Sequence, residues 1–142
     1  MISQVTEIRV RYADTDQMRV VYYGKFFEYF EQGRSDLLRS IGLPYPQIEE
    51  MGFYLPVIEA HAVYKRALQY DDLIRVVTQL RHSPVARVRL DYEVTKVGEQ
   101  GLVAEGYTIH GFINASTGKP TRGPARFLEA VEEAMRKTRV PS

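Results

Sequence analysis

One segment of the chain, residues 11–24, places carboxylate, aromatic and arginine side chains between a predicted strand and a predicted helix. The backbone N–H groups of a first helical turn are unpaired and carry the positive end of the helix dipole, so they stabilise a carbonyl oxygen that gains negative charge. Asp16 would then attack the carbonyl carbon or activate water. A structural alternative stays open, because Asp14 or Asp16 is also suited to stabilise a turn or complement the dipole.

The segments that flank this loop have regular periodicities. Residues 4–12 alternate between two faces, which predicts a half-buried strand. From about Gly24 to Ile41 apolar residues recur at every third or fourth position, which predicts a long amphipathic helix. Gly33 inside this helix costs about 1 kcal/mol relative to alanine, and a close approach to a sheet would offset that cost.

The rest of the chain adds four strands and two helices to this order. The predicted ranges are a short helix at 47–51, strands at 57–66, 73–81, 86–95 and 102–113, and a terminal helix at 126–137. One long helix with five antiparallel strands is an α+β arrangement, in which one sheet face is buried against the helix. A bare sheet edge is a template for pairing, so we expect a homo-oligomer that joins two sheets edge to edge.

Composition sets further limits on the class of protein. The 142 residues are 44% hydrophobic and 26% charged, which predicts one domain over residues 1–142. A net charge of +1 provides no overall field for nucleic acid or an anionic membrane. Without cysteine there is no disulfide, thiolate nucleophile or Cys-ligated metal. We see no secretion signal or membrane-spanning apolar run, and expect a cytoplasmic protein.

The stretch YADTDQMRVVYYGKFFEYFE, from Tyr12 to Glu31, resembles the signature of the hotdog-fold acyl-CoA thioesterases of the 4-hydroxybenzoyl-CoA thioesterase type. Residues 55–57 (LPV), 64–65 (YK) and 70–72 (YDD) resemble the second block of that family. The similarity covers nearly the whole chain. It implies a five-stranded antiparallel sheet wrapped around a long central helix, subunits paired into a continuous double sheet, frequent tetramers, and active sites between subunits.

The resemblance also implies the roles of individual residues. The catalytic carboxylate of the family is the second Asp of an Asp-x-Asp pattern, which falls on Asp16, while Asp14 is structural. Asp16 would be the nucleophile or the general base, and the backbone amide of Tyr23 would polarise the thioester carbonyl. Many members carry Gly where this chain has Arg19, so loop geometry or a substrate contact is expected to differ there. A Tol-Pal-linked subgroup carries His at the position of Tyr23, and this chain resembles the Tyr-bearing members.

The phosphates of coenzyme A must be bound by local cations in a near-neutral protein. Arg87 and Arg89 share a strand face, Arg81 precedes the intervening turn, and Lys65 and Arg66 lie on another strand. We expect a subset of these to bind the phosphates, with solvated strand faces as the alternative.

Aromatic residues near the predicted oxyanion site complete the candidate site. Phe26 and Phe27 lie within one helical turn of it, so one of them is expected to line the acyl pocket, although such stripes more often pack a core. Taken together, the residues expected to contact substrate are Tyr12, Val21, Phe26, Phe27, Pro56, Lys65, Arg87 and Arg89.

The three histidines lack a carboxylate at metal-binding spacing, so no metal is expected, and His61 and His110 are expected in the interior or at an interface. The predicted function is hydrolysis of acyl-CoA thioesters to acid and CoA without a cofactor, by a dimer of dimers. The alternatives are a thioesterase for acyl carrier protein substrates and a non-catalytic acyl-CoA binding or sensor protein. A hotdog dehydratase ranks lower because residues 12–31 contain no histidine.

Overall fold

Seven strands and three α-helices make up residues 1–139, the part of the chain that the computed structural model describes. A 3₁₀ turn at Tyr12–Asp14 follows the first strand. In chain order the elements are β1 (Ile2–Arg9), α1 (Lys25–Ser40), α2 (Tyr45–Glu50), β2 (Phe53–Tyr54), β3 (Val57–Tyr64), β4 (Leu73–Leu80), β5 (Arg87–Lys96), β6 (Leu102–Asn114), β7 (Pro120–Thr121) and α3 (Ala125–Arg139).

The strands form one antiparallel sheet in the order β1-β4-β5-β6-β3. The five long strands and the hairpin between β5 and β6 were predicted, but the count of five is wrong because β2 and β7 are additional strands of two residues each. Both pair with the far end of β6, residues 112–114, where they satisfy backbone groups beyond the last partners in β3 and β5. Strands this short have no periodicity that a sequence pattern detects.

Helix α1 packs across one face of this sheet, mainly against β1 and β4. Its buried side includes Phe30, which stacks on Tyr92 of β5 with ring centroids 4.3 Å apart. At Gly33 the helix comes so close that an added Cβ would lie 3.1 Å from Val76 Cγ1 and would overlap Thr78 Oγ1. The close approach predicted for Gly33 is therefore present, and it sets the depth at which the helix lies.

The terminal helix α3 extends the core beside β1. Phe127, Val131 and Met135 are all buried, as predicted, and the Phe127 ring meets that of Phe112 edge to face at 4.9 Å. Among the helices of residues 1–139, none is both long and apolar enough to span a bilayer.

Replacing Gly33 by alanine tests the contact between α1 and the sheet. We expect Gly33→Ala to lower the free energy of unfolding by about 1–3 kcal/mol, because the new methyl group must push the helix away from Thr78. Urea denaturation measures this value. The neighbouring exposed Gln32→Ala is the control, with a change within about 0.5 kcal/mol. Equal stabilities for Gly33→Ala and the unmodified protein would contradict the packing argument.

Candidate active site

The first carboxylate of the loop, Asp14, is buried, with only 3% of its surface exposed. It accepts hydrogen bonds from the backbone N–H of Arg11 (3.0 Å), from the Arg11 guanidinium (3.1 Å) and from the hydroxyl of Tyr29 on α1 (2.9 Å). Burial raises the pKa of Asp14, but these hydrogen bonds and the Arg11 charge outweigh it and hold that pKa below its usual value. Asp14 therefore ties the loop to the helix as an ionised group.

Beyond Asp14 the loop folds back on itself as a tight hairpin. Thr15 and Val21 form an isolated bridge, and the Asp16 N–H donates to the Val20 carbonyl at 2.9 Å. The turn is closed by the Arg19 N–H, which donates to the Asp16 carbonyl at 2.9 Å.

Arg19 occupies the left-handed region at this turn, with φ of 63°. Glycine adopts that conformation at no steric cost, whereas an L-residue there costs roughly 1–2 kcal/mol. The backbone conformation at Arg19 is therefore one that glycine adopts easily, and glycine is common at this position in the family that the sequence resembles. The difference that the sequence predicted at this position lies in the exposed Arg19 side chain, which projects from the same loop as Asp16.

Asp16, the predicted catalytic residue, lies exposed at the start of the turn. Its Oδ1 accepts a hydrogen bond from the Met18 N–H at 2.8 Å, and no other group within residues 1–139 donates to its carboxylate. One oxygen is thus held in place while the other stays available. An accessible carboxylate of this kind is chemically suited to attack a carbonyl carbon or to accept a proton from water.

The N-terminus of α1 presents unpaired backbone donors on the same segment. The Lys25 and Phe26 N–H groups donate to the carbonyls of Tyr22 and Tyr23. Within the described residues the N–H groups of Tyr23 and Gly24 donate to no other group of the chain. Donors at the positive end of a helix of 16 residues are able to bind an oxygen that becomes negatively charged.

A cavity of about 170 Å³ adjoins this helix start. Four of the residues predicted for the site line it, namely Val21, Tyr23, Phe26 and Lys65, together with Val20, Tyr64, Arg66 and Ala67. The Tyr64 hydroxyl donates to the Tyr23 carbonyl at 3.2 Å and the two rings lie 4.7 Å apart. Tyr64 therefore holds the backbone at Tyr23, a role that was not predicted although the family resemblance included its position.

Three predicted substrate contacts do not line this cavity. Phe27 lines a separate cavity of about 200 Å³ between α1 and β3. Pro56 lies at the far end of the sheet, where its carbonyl accepts the Gly111 N–H at 3.3 Å. Tyr12 was predicted to continue the first strand, which is wrong, because β1 ends at Arg9. Tyr12 lies instead on the 3₁₀ turn that the Asp14 carboxylate anchors, and its side chain is 77% exposed.

Arg87 and Arg89 line a third cavity, of about 370 Å³, together with Arg81. The loop that carries Asp16 bonds to Leu68, just before β4 begins, whereas Arg81 follows the end of β4. The eight residues of that strand span about 25 Å at roughly 3.3 Å each. The structure therefore does not bring these arginines to Asp16 within one protomer.

Arg66 and two of the histidines have structural contacts that differ from one residue to the next. Arg66 bonds to Glu99 and to three carbonyls of the β5–β6 region, so it holds that connection. His110 is buried, with Nδ1 near the Leu55 carbonyl (3.2 Å), and burial lowers its pKa to about 4. His61 is exposed and stacks on Tyr107. No group of three His, Asp or Glu side chains suited to a metal ion occurs in residues 1–139.

Stability at low pH tests the role of Asp14. Because its folded pKa is lowered, the ionised carboxylate stabilises the fold above its unfolded pKa near 3.8, and this contribution is lost as the pH falls towards the folded value. We expect Asp14→Asn to cost about 1–3 kcal/mol at pH 7 and less at pH 3. Urea denaturation at both pH values measures this, with the exposed Asp71→Asn as control. A deficit that is the same at both pH values would exclude the ionised carboxylate as its cause.

Comparison with known proteins gives this geometry its context. The family model of the thioesterase-like superfamily matches residues 10–131. A putative esterase from Aquifex aeolicus (strain VF5) is 32% identical over 125 residues, which cover 88% of this chain and 94% of that protein. A putative acyl-CoA thioesterase YneP from Bacillus subtilis (strain 168) is 39% identical over 72 residues, 51% of this chain and 52% of that protein. The crystal structure of DHNA-CoA thioesterase from Staphylococcus aureus has a TM-score of 0.86 and 32% identity, covering 97% of this chain and 91% of that one.

The family model extends over the loop, the central helix and the four long strands that follow β1, and the structural match covers 97% of the chain. They confirm the predicted α+β hotdog fold, the family resemblance carried by residues 12–31, and the prediction of an enzyme of the thioesterase class. The chain belongs to the thioesterase-like superfamily.

Proposed function

We propose that this protein hydrolyses acyl-CoA thioesters, with the Asp16 carboxylate as the reacting group and the Tyr23 amide as the group that polarises the carbonyl. The observation that carries the proposal is the pair of unpaired backbone N–H groups at the start of α1, on the same segment as an accessible carboxylate. Similarity to a putative acyl-CoA thioesterase and to a DHNA-CoA thioesterase supports the substrate class. The reaction needs no cofactor, because CoA is part of the substrate.

Two chemical routes are available to Asp16. As a nucleophile, its carboxylate oxygen bonds to the thioester carbon, the C–S bond breaks, CoA leaves as the thiol after protonation, and water hydrolyses the mixed anhydride. As a general base, Asp16 takes a proton from water while the water oxygen bonds to the same carbon; the C–S bond then breaks, and the proton passes to the sulfur of the departing CoA. In both routes the carbonyl oxygen gains negative charge, which the amides at Tyr23 and Gly24 stabilise.

The cations that bind CoA are proposed to come from two protomers. Lys65 lines the cavity at the helix start, and its exposed ammonium group lies 3.7 Å from a carboxylate oxygen of the half-buried Glu105, so a phosphate would compete with Glu105 for it. Arg87 and Arg89 lie at the opposite end of the sheet from Asp16. They would reach a CoA bound at Asp16 from a second copy of the chain.

The β3 edge is the proposed dimer contact. β1 and β3 are the two edge strands, and seven of the eight β3 residues are exposed, including Val57, Ile58 and Val63. The outward side of β1 instead carries groups such as Glu7, which is paired with Arg75 of β4. An apolar edge with unpaired backbone groups is a template for a second copy. Two such dimers would form the expected tetramer.

Replacing Asp16 by asparagine tests its proposed role in hydrolysis. Free CoA release is measured from aromatic, short-chain and long-chain acyl-CoAs. We expect Asp16→Asn, which keeps the size but not the ionisable carboxylate, to lower kcat by about 10²–10⁴-fold with the oligomer intact. Asp71→Asn, an exposed carboxylate on the neighbouring turn, is the control and should keep full activity.

Other outcomes separate the alternatives. Turnover that survives in Asp16→Asn would contradict the assignment of Asp16. Turnover of acyl carrier protein esters alone would favour the carrier-protein thioesterase. Acyl-CoA binding without any hydrolysis, unchanged in Asp16→Asn, would favour a binding or sensor protein.

The edge contact has its own test, with a matched pair of variants. Ile58 on β3 and Val5 on β1 are exposed to a similar extent, 53% and 50%. We expect Ile58→Lys to dissociate the oligomer and to lower turnover, because charge at a pairing edge opposes strand addition. Val5→Lys should leave the assembly unchanged. Analytical ultracentrifugation measures the mass, and an unchanged mass for Ile58→Lys would exclude this edge as the contact.

A further inference from the structure

The peptide group that joins Tyr23 to Gly24 lies at the start of α1, and its carbonyl accepts two hydrogen bonds. One comes from the Phe26 N–H of the first helical turn, at 3.2 Å. The other comes from the Tyr64 hydroxyl, 41 residues later in the chain at the end of β3, also at 3.2 Å. Helix formation does not require this second bond, so the bond needs a separate explanation.

A carbonyl and the N–H that follows it belong to one planar, conjugated peptide unit. A hydrogen bond accepted by the carbonyl draws electron density from the amide nitrogen, so the N–H of the same unit becomes a stronger donor. The N–H on the unit that Tyr64 contacts is that of Gly24, which donates to no other group within residues 1–139. The two bonds to the Tyr23 carbonyl thus strengthen a donor that the fold leaves free.

The other free amide at the helix start, that of Tyr23, has a different environment. It shares its peptide unit with the Tyr22 carbonyl, which accepts the Lys25 N–H at 2.9 Å. In the described part of the chain no side chain donates to that carbonyl as well. Of the two neighbouring donors, Gly24 is therefore the one whose peptide unit receives an additional hydrogen bond from a side chain.

The Tyr64 side chain is itself held in place by aromatic neighbours. Its ring centroid lies 4.7 Å from that of Tyr23 and 5.1 Å from that of Phe26, and all three rings line the cavity at the helix start. Burial, together with the nearby Tyr22 and Tyr23 hydroxyls, raises the pKa of Tyr64. At neutral pH the hydroxyl is therefore protonated and able to donate.

A second aromatic contact holds the other end of this peptide unit. Gly24 has φ of −61° and ψ of −24°, an ordinary helical conformation, so its backbone does not require glycine. An added Cβ would instead lie 2.9 Å from Tyr22 Cε1, because the Tyr22 ring packs directly against the Gly24 Cα. With its carbonyl bound by Tyr64, the unit has a fixed direction, and such a donor needs no reorganisation when charge develops on a substrate.

We propose that Tyr64 is a positioning residue for thioester hydrolysis, which orients and polarises the Tyr23–Gly24 peptide so that the Gly24 N–H is the stronger of the two donors to the substrate carbonyl oxygen. This inference rests on the proposed function and deepens it. Tyr64 acts through the peptide and does not touch the reacting atoms. Because the carbonyl oxygen gains its charge in the transition state, a stronger donor there raises kcat and leaves KM nearly unchanged.

Two replacements of Tyr64 change the strength of the donated hydrogen bond in opposite directions. Tyr64→Phe removes the hydroxyl but keeps the ring contacts, and we expect kcat for the best acyl-CoA of the panel to fall about three- to ten-fold. KM should stay within about two-fold and the urea midpoint should not change. Tyr64→3-fluorotyrosine has a more acidic hydroxyl and should raise kcat above that of the unmodified protein, which a merely structural role would not do.

Tyr70→Phe is the matched control, since Tyr70 is 58% exposed on the turn before β4 and its hydroxyl has no partner within residues 1–139. It should keep the kcat and KM of the unmodified protein. An unchanged kcat in Tyr64→Phe, or a loss of kcat that KM and the urea midpoint follow equally, would overturn the inference while the proposed function stands.

The carbonyl stretching frequency of a ¹³C-labelled acyl-CoA bound to Asp16→Asn measures the same polarisation without turnover. Isotope-edited infrared spectroscopy should show a lowered frequency for the bound ester, and adding Tyr64→Phe should move it back towards the free value. Equal frequencies with and without the Tyr64 hydroxyl would overturn the inference.

The two proposals fail in different ways. If the unmodified protein binds acyl-CoA but hydrolyses none, the proposed function fails, and the carbonyl frequency then decides separately whether Tyr64 polarises the donor. If Tyr64→Phe does not fold, the kcat of Tyr64→3-fluorotyrosine decides the question. Failure to bind any acyl-CoA would overturn both proposals.

Discussion

The geometry of the candidate active site depends on the close packing of helix α1 against the sheet. Gly33 allows the helix to approach Val76 and Thr78 more closely than any side chain would permit, and Phe30 then stacks directly on Tyr92. A helix held at this depth has little freedom to tilt, because interiors are close-packed and shifts cost contacts on both sides. Its N-terminus is therefore fixed near the sheet end where the preceding loop arrives, and the unpaired amides there have a defined direction.

The two carboxylates of that loop show how environment assigns different roles to one residue type. Asp14 is buried, accepts three hydrogen bonds and has a lowered pKa. Both of its carboxylate oxygens are therefore occupied by bonds that hold the loop on Arg11 and Tyr29. Asp16, two residues later, is exposed and accepts one hydrogen bond, from Met18. A carboxylate with its oxygens fully occupied is a poor nucleophile or base, whereas one with a free oxygen is suited to either task. The first therefore positions the second.

Periodicity predicted most of the fold, since burial of one face produces it directly. Helix α1 and the five long strands were found within a few residues of their bounds. The errors arise where local bonding replaces periodic burial: Tyr12 leaves the strand because Asp14 caps a 3₁₀ turn, and β2 and β7 exist only as partners of β6. The alternating pattern predicted that Arg87 and Arg89 share one face of a strand. It did not predict that they lie at the end of the sheet away from Asp16, because that position depends on strand register. Arg34 lies on the apolar side of α1, between Phe30 and Leu37, and is buried. The sequence analysis did not single out this charged residue among apolar ones.

The edge strand β3 connects the separate parts of the site. Tyr64 at its end holds the backbone at Tyr23, while Val57 and Ala60 at its start form a wall of the cavity that Phe27 lines. Both cavities are thus grooves along an edge that is exposed in a single chain. A second copy paired on β3, as proposed above, would cover them and exclude water, and the Asp16 carboxylate would then act in a lower dielectric, where a hydrogen bond to a substrate is stronger. Under the proposed pairing, the exposure of Asp16 in one protomer and the apolar exposure of β3 would have the same explanation, because the reaction site would be complete only where two chains meet.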